Sequence, residues 1–368
     1  MPKENILLVT DALVLPVRGI DGGFSCGVFD ASGAAVPSSI HRSSTRPVTA
    51  KPAKAPAQQA GEEIGEALFG GVMLNHFGHF LMESLGRLWG ANDEDVRHLP
   101  IIVQMPWGGM PLTDLDHFSR IILDLLEIDP TRLKVVTAPL RIGKLHVPEQ
   151  LYGFHCFESP SPIFVDFLRV AQRNILKMAE GFTLPSSRVY MSRSEWQDKA
   201  PKRGIVAGSH AFDDFLRQQG WHVVQPETLT FRDQLKIYAL AEHVLISEGS
   251  AQHSYILLPD TPSHVTVLLR RPDPWDITRV TKQFGGVGSH AATIQEIEKT
   301  YSYGQPSWSG LTVVDYSKVA QALQAAGTVA EPFTAWAGMK EDQVRQSLHA
   351  YIGAIREEPS FLDFMRKL

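Results

Sequence analysis

Short apolar runs alternate with amphipathic segments along the second half of the chain. The apolar runs predict strands at residues 189–192, 222–224, 244–247, 265–269 and 311–314. Segments with a period near 3.6 residues predict helices at 211–219, 231–241 and 319–325, and a further helix that begins at Ser250. Strands that alternate with helices in this way indicate a parallel, doubly wound α/β sheet.

The first half contains the same kinds of segment in a less regular order. Its predicted elements are strands at 5–10, 99–105, 133–137 and 142–147, a hairpin turn at 30–33 and a helix at 115–127. Residues 43–60 are rich in Pro, Ala and Lys without periodicity, which predicts a loop. A long helix at 163–180, opened by Pro162 and ended by Gly181, connects the two halves.

Length and pattern together predict two domains, because 368 residues exceed what one compact core usually holds. We place an N-terminal lobe at residues 1–165 and a C-terminal lobe with the doubly wound sheet at 166–335. We expect the helical tail, residues 336–368, to pack back on the N-terminal lobe.

The composition is that of an ordinary soluble globular protein, with 43% hydrophobic and 20% charged residues. A formal charge of −5 excludes a broad basic surface for nucleic acid. Cys26 and Cys156 form neither a disulfide framework nor a metal-binding spacing. No apolar run approaches the ~18–20 residues of a membrane helix, and the first residues do not have the pattern of a signal peptide. We therefore expect a cytoplasmic protein that at most touches a membrane peripherally, at its inner face.

Residues 75–89 have a helical pattern with an unusual polar face. One side of the helix carries Phe77, Phe80, Leu81, Leu85 and Leu88. The other side carries Asn75, His76, His79, Glu83, Gly86 and Arg87. A solvated helix face normally carries Lys and Glu, so this composition favours the wall of a cleft.

His79 and Glu83 lie four residues apart, which brings their side chains together on a helix. One interpretation is a general base with an orienting neighbour, which can deprotonate an acceptor hydroxyl. The other is an exposed Glu83–Arg87 pair that contributes only about 0.3–0.5 kcal/mol. The residues alone leave both interpretations open.

Arg193 follows a predicted strand and is flanked by Ser192 and Ser194. A planar guanidinium is the side chain best matched to phosphate oxygens. Downstream, Lys199, Lys202 and Arg203 lie in a Pro/Gly-bearing loop that could close over a ligand. Alternatively, Arg193 forms a structural salt bridge, and the side chains of the downstream cations are solvated.

Gly249 and Ser250 lie at a predicted strand-to-helix turn. A missing Cβ lets a ligand approach there, and the following helix offers unpaired N–H groups to an anion. Ser250 could instead be only the N-cap of that helix. Glu248 would face hydroxyls such as those of a ribose, or else be a surface acid, and His253 is either a core or a ligand-facing histidine.

Three groups of residues occur in an order that resembles glycosyltransferase family 61. They are residues 75–83 (Asn-His-Phe-Gly-His-Phe-Leu-Met-Glu), residues 190–194 (Tyr-Met-Ser-Arg-Ser), and residues 229–234 (Leu-Thr-Phe-Arg-Asp-Gln) followed by 247–251 (Ser-Glu-Gly-Ser-Ala). The resemblance covers roughly residues 65–275.

The resemblance implies a GT-B fold, in which two Rossmann-like lobes face each other across a cleft. The N-terminal lobe would then hold the acceptor and the C-terminal lobe the donor. It also implies inverting, metal-independent transfer of a hexose or pentose from a nucleotide-sugar donor, with UDP-sugars favoured and no cofactor. The acceptor would be a glycan or a lipid-linked glycan, as in the synthesis of bacterial capsule and other surface polysaccharides.

The family's motifs assign roles to individual residues of this chain. The catalytic candidates are His79 and Glu83, which match the family's first-lobe His and acidic pair. The substrate-binding candidates are Asn75, Arg193, Ser194, Lys199, Arg203, Glu248, Gly249, Ser250, Ala251 and His253. Of these, the pair 193–194 matches the family's diphosphate-binding Arg-Ser, and residues 249–251 match its Gly-Ala/Ser turn. Many members have His at the position of Glu248, a departure that bears on contacts with the donor's ribose and base.

A noncatalytic nucleotide- or carbohydrate-binding protein of the same fold is the alternative. It would keep Arg193 and the Gly249 turn but would not need His79 and Glu83. We expect no metal site, because the Asp-X-Asp sequence at 114–116 precedes a helical run, where Asp commonly caps.

Overall fold

The computed structural model describes residues 5–20, 23–42, 61–106, 111–153, 161–302 and 309–358. The predicted loop 43–60 and Cys156 lie outside these residues. The chain forms two compact units. Unit 1 comprises Met1–Met178, His253–Asp260 and Lys282–Ser289. Unit 2 comprises Ala179–Gln252, Thr261–Thr281 and His290–Leu368.

The strands of the described residues form sheets in both units. The strands of unit 1 are β1 (Ile6–Ile20), β2 (Gly23–Phe29), β3 (Glu62–Val72), β4 (Ile101–Gln104), β5 (Leu133–Val135) and β6 (Leu140–Pro148). Those of unit 2 are β7 (Arg188–Met191), β8 (Ile205–Val206), β9 (His222–Val224), β10 (His243–Ser247), β11 (His264–Leu268), β12 (Ala291–Ile294), β13 (Ile297–Tyr301) and β14 (Leu311–Val314).

Helices connect and cover these strands. The α-helices are α1 (Phe77–His79), α2 (Phe118–Leu125), α3 (Pro162–Ala179), α4 (Ser194–Lys199), α5 (Ser209–Gln218), α6 (Phe231–Leu240), α7 (Pro274–Gly285), α8 (Tyr316–Ala325) and α9 (Trp336–Ile355). Tighter-wound 3₁₀-helical segments include Leu85–Asn92, Pro201–Arg203 and Ser250–Leu257. No helix of the described residues is long and apolar enough to span a membrane.

The sheet of unit 1 is mixed, in the order β2-β1-β6-β3-β4-β5. Strand β1 is antiparallel to β2 and β6, and the remaining neighbours are parallel. The predicted strands at 99–105, 133–137 and 142–147 and the helix at 115–127 are confirmed. Strand β3 was not predicted, because three glycines and three glutamates interrupt its apolar pattern.

The predicted helix at 75–89 is helical but irregular. After α1, the chain passes through a π-helical turn at Phe80–Ser84 and then the tighter Leu85–Asn92 segment. The apolar residues of the predicted inner face are buried, as expected, apart from the half-buried Phe77. Much of the polar face is buried as well, so the expectation of an open cleft wall is wrong for Glu83, Gly86 and Arg87. A π-helical turn within a helix is often found at functional sites.

Unit 2 contains the predicted parallel sheet, in the order β12-β11-β10-β7-β9. All of its neighbouring strands are parallel. Chain order runs outward in one direction from β7 to β9 and in the other from β10 to β12, so the order reverses between β7 and β10. In open parallel sheets, ligands bind outside the carboxyl ends of the strands at such a reversal.

The described part of the C-terminal tail packs within unit 2. Its helix α9 buries Tyr351 and Ile355 against the apolar residues Ile205, Leu311 and Val313 of strands β8 and β14. Our expectation for residues 336–368 was packing on the first lobe. The small sheet β13-β14-β8 was not predicted as a sheet, and its apolar face is what α9 covers.

Candidate functional site

In unit 1, Glu83 joins two histidines. Its carboxylate is fully buried, and its Oε1 is hydrogen-bonded to Nδ1 of His79. Its Oε2 lies 3.3 Å from Nε2 of His41, which is also buried. The side chain of His79 is 28% exposed, so it is the member of this group that a ligand can reach.

The electrostatics of Glu83 decide which group can act as a base. Burial would raise its pKa, but the hydrogen bonds from His41 and His79 lower the pKa to about 2. A buried carboxylate with so low a pKa is a poor proton acceptor. Because Nδ1 of His79 faces Glu83, Nε2 is the ring nitrogen left to accept a proton from a ligand. Of the two residues, His79 is therefore the better candidate to accept a proton, and Glu83 fixes the orientation of its ring.

Arg87 anchors the segment that carries His41. Its guanidinium donates to the carbonyl of Ile40 at 2.7 Å and to the carbonyl of Pro148 at 2.5 Å. Glu83 and Arg87 are only 2% and 3% exposed, which excludes the exposed ion pair considered above. Asn75 is half-buried just before α1.

In unit 2, Arg193 and Gly249 follow adjacent strands at the reversal of strand order. Arg193 follows β7, and Gly249 follows β10. A Cβ added at Gly249 would lie only 2.5 Å from Nη1 of Arg193. The guanidinium thus packs directly on the backbone of Gly249, and the glycine makes room for the arginine.

Arg193 is half-buried among other cations. Burial and the positive charge of Arg270 lower the pKa of Arg193 to about 9, with a further contribution from Arg271. The guanidinium still carries its charge at neutral pH. Within the described ranges no carboxylate forms a salt bridge with Arg193, although the negative charge of Glu227 acts on it and opposes the lowering of its pKa. An anion is a further partner that this environment favours.

Glu248 is buried and faces these arginines. Its Oε2 accepts from the backbone N–H of Arg270 at 3.0 Å, and its Oε1 pairs with the guanidinium of Arg271. Its backbone carbonyl accepts from Nε of Arg270 at 3.2 Å. Both carboxylate oxygens are therefore engaged by protein groups. The expectation of a surface acid is wrong, because Glu248 is buried, whereas a contact with ribose hydroxyls stays a prediction.

A buried polar network holds the turn before α4. The hydroxyls of Ser192 and Ser194 donate to the two oxygens of Asp213 at 2.8 and 2.6 Å. The amide of Gln225 donates to Ser194 and Asp213 at 2.7 and 3.0 Å. Burial raises the pKa of Asp213, and the serine hydrogen bonds oppose that shift. The hydroxyl of Ser194, a predicted diphosphate contact, is thus committed to the protein and holds the Arg193 turn.

The residues after Gly249 divide between the two units. Ser250 and Ala251 are half-buried at the start of the Ser250–Leu257 helix in unit 2. The hydroxyl of Tyr238 lies 3.4 Å from the carbonyl of Ala251. His253 belongs to unit 1, where its Nδ1 lies 2.8 Å from Oε1 of Gln283.

The downstream cations are exposed, and they lie on short helical segments rather than in a loop. Lys199 ends α4 and pairs with Glu195 at 3.5 Å, with 59% of its side chain exposed. Lys202 pairs with Glu358 at 2.6 Å, and Arg203 is exposed in the Pro201–Arg203 turn. The predicted loop conformation is wrong, because these residues form two short helical segments; their contact with a ligand stays a prediction.

Sequence reasoning missed several residues of both groups. His41 lies 42 residues before Glu83, and no local pattern marks it. Asp213 lies inside a helix that was predicted for its apolar face alone. Arg270 and Arg271 could have been found, because they directly follow the predicted strand at 265–269, just as Arg193 follows its own strand.

Comparison with known proteins identifies a family whose sequence model matches this chain. The sequence model of the family described as "Glycosyltransferase 61" matches residues 77–266, which is just over half of the chain. The match includes His79, Glu83, Arg193 and Glu248, and it ends before Arg270. No curated protein matches the chain.

Proposed function

The chain belongs to glycosyltransferase family 61, which indicates that it is a glycosyltransferase. From that premise we propose that it transfers a sugar from a nucleotide-sugar donor to a glycan hydroxyl with inversion. The observation that carries the proposal is the charged Arg193 on the backbone of Gly249, at the reversal of strand order in the parallel sheet. That is the place at which such sheets bind nucleotides.

On the donor side, Arg193 binds the diphosphate of the nucleotide-sugar. Its environment supports this role, because it carries a charge among other cations and forms no salt bridge with a carboxylate in the described ranges. The Ser250–Leu257 helix begins directly after Gly249, and a helix N-terminus favours an anion. Ser192, Ser194 and Asp213 hold the turn that presents Arg193.

On the acceptor side, His79 is the general base and Glu83 orients its ring. As the acceptor oxygen forms its bond to the anomeric carbon, its proton passes to Nε2 of His79. The bond between that carbon and the diphosphate oxygen breaks, and its electron pair leaves with the diphosphate. Attack on the face opposite the leaving group inverts the configuration. Arg193 stabilises the negative charge that develops on the diphosphate, and loss of such a contact typically lowers the rate by about 10²–10³.

The finer assignments are part of the same proposal. We propose a UDP-sugar donor, a hexosyl or pentosyl group, and a glycan or lipid-linked glycan acceptor in surface polysaccharide synthesis such as that of a capsule. We also propose the GT-B arrangement, metal-independent transfer, and action in the cytoplasm with peripheral contact at the inner face of the membrane. Support for these points comes from the family resemblance alone.

A thermal-shift series tests the donor site. The purified protein is heated with UDP, GDP, CMP or dTDP in EDTA, alongside Arg193→Ala. A ligand at about 100 times its dissociation constant adds roughly 2.7 kcal/mol of stability. We expect one nucleotide to stabilise the wild type and not Arg193→Ala. The matched control is Arg217→Ala, which removes an exposed arginine of the same unit. No stabilisation by any nucleotide, or equal stabilisation of Arg193→Ala, contradicts the donor site.

The noncatalytic alternative differs at His79. A binding protein would lose nothing when His79 is replaced, whereas a transferase loses its base. We expect His79→Ala to bind the nucleotide like the wild type and to transfer sugar about 10²–10⁴ times more slowly. Transfer at the wild-type rate would show that the base lies elsewhere.

A further inference from the structure

We propose that Arg270 and Arg271 complete a three-arginine anion site with Arg193, and that Glu248 is the residue that positions them. The inference rests on the proposed donor site and extends it to residues outside the span matched by the family model. It assigns Glu248 to the protein's own arginines rather than to the ribose of the donor.

The first support is the position of the residues in the sheet. Strand β10 lies between β7 and β11, and all three run parallel. Arg193, Glu248 and the pair Arg270–Arg271 each lie within three residues of the carboxyl end of one of these strands. Since the carboxyl ends of parallel strands meet at one edge, three cations and one carboxylate come together there.

The second support is the set of contacts made by residues 248 and 249. Gly249 supports the guanidinium of Arg193. Glu248 holds Arg270 through its backbone N–H and Nε, and it holds Arg271 through its guanidinium. Two successive residues at the end of β10 therefore set the positions of three arginines.

The third support is the charge balance. Three guanidinium groups, with the carboxylates of Glu248 and Glu227, leave a formal excess of one positive charge. Burial is the main cause of the lowered pKa of Arg193, and the positive charges of Arg270 and Arg271 add to it, so the cations repel each other in the free protein. A multiply charged anion such as a diphosphate removes that repulsion, and arginine forks match its oxygens.

Replacing Glu248 by Gln could change the affinity for an anion in either of two opposite directions. If Glu248 only offsets positive charge, its neutral isostere Gln raises the net charge of the site and tightens the binding of an anion. If it positions the arginines, Gln releases at least one of their contacts, because an amide offers one acceptor oxygen where the carboxylate offers two. The second effect weakens binding, and the proposal requires it to dominate.

The experiment measures inorganic pyrophosphate binding by calorimetry at neutral pH in EDTA. The variants are Glu248→Gln, Arg271→Gln, the double variant and Arg271→Lys, with Arg217→Gln as the control at an exposed site of the same unit. We expect Arg271→Gln and Glu248→Gln each to weaken binding about tenfold or more. We expect the double variant to lose less affinity than the sum of the two single losses, since Glu248 acts in part through Arg271. Arg271→Lys keeps the charge but not the fork and should be intermediate.

Several results overturn the inference. These are tighter or unchanged binding by Glu248→Gln, binding by Arg271→Gln within twofold of the wild type, and full additivity in the double variant. Should Glu248→Gln fail to fold by circular dichroism, the comparison of Arg271→Gln with Arg271→Lys decides. The proposed function is distinguished by Arg193→Ala: if this variant alone loses pyrophosphate, the donor site stands and the three-arginine site fails. If Arg193→Ala binds like the wild type, the donor site itself is wrong.

Discussion

A substitution at Gly249 should change the affinity for the ligand without lowering the stability of the fold. An ideal Cβ there lies 2.5 Å from Nη1 of Arg193 and 3.4 Å from Cδ and Cζ, whereas ordinary contacts begin at 3.4 Å. The Gly249→Ala variant therefore forces the guanidinium to move by about 1 Å. The atom that must move is the end of a flexible side chain, so the backbone can stay where it is.

The Gly249→Ala substitution is expected to weaken diphosphate binding and to leave the stability of the fold unchanged or slightly higher. A hydrogen bond to a charged group contributes roughly 1.5–3 kcal/mol, so its loss weakens diphosphate binding about 10- to 150-fold. The backbone of Gly249 is not in the left-handed region, so alanine fits without strain. Replacing a glycine at such a site stabilises a protein by about 0.4–1 kcal/mol, because the unfolded chain loses freedom. Gly249→Ala should therefore bind poorly and melt at or slightly above the wild-type temperature.

The assay pairs calorimetric titration of inorganic pyrophosphate with thermal unfolding of the same samples. The matched control is Gly338→Ala in α9, where an added Cβ meets nothing within 4 Å. This control should bind like the wild type. Wild-type affinity in Gly249→Ala refutes the reasoning, since Arg193 would then either move without loss or not contact the ligand. A lowered melting temperature would instead show that the alanine displaces more than the guanidinium.

Two further substitutions test the buried groups behind each site. The folded-state pKa of Glu83 is lowered from 4.5 to about 2, so its contribution to stability is complete above pH 4.5 and is lost as the pH falls toward 2. Wild-type protein should lose on the order of 3 kcal/mol of unfolding free energy over that range relative to Glu83→Gln, measured by urea unfolding at a series of pH values. A parallel pH dependence of the two proteins would contradict the hydrogen bonds to Glu83. For Asp213→Asn, the single acceptor oxygen must serve the donors of Ser192, Ser194 and Gln225. We expect a loss of about 1–3 kcal/mol in urea unfolding at neutral pH, and unchanged stability would show that the network contributes little.

The sequence predicted those features that depend on neighbouring residues. Strands β7, β9, β10 and β11 of the parallel sheet were predictable because each contains a short apolar run near a helix that begins or ends at a recognisable residue. Strand β12 was not predicted, and the predicted strand at 311–314 lies in the small sheet β13-β14-β8 instead. Thr230 caps α6 by accepting from the N–H of Asp233. Gly181 and Gly220 follow helices with φ of +75° and +79°. Arg193 and Gly249 were predictable for a related reason, since both follow strands of that sheet.

The features that were missed depend on contacts between distant parts of the chain. Glu248 was placed near a ribose because its partner Arg271, 23 residues later, has no local signal that connects the two. The same holds for His41 and Glu83, which are 42 residues apart. Ser194 was predicted to contact the ligand, but its hydroxyl donates a hydrogen bond to Asp213. Residue types at strand ends thus indicated a candidate site, but not which of their side chains are bound by other protein groups.

The electrostatics of the two units restrict how the proposed reaction can depend on pH. Glu83 has a pKa of about 2 and Arg193 a pKa of about 9, so neither changes charge between pH 5 and 8. A pH dependence of turnover within that range must therefore come from another group. Our candidate is the proposed base, His79, which is more exposed than its neighbour His41 in the hydrogen-bonded group around Glu83. A base must be neutral to accept a proton, so turnover should rise with pH in the wild type. If His79→Ala retained that rise, the assignment of the base to His79 would be wrong.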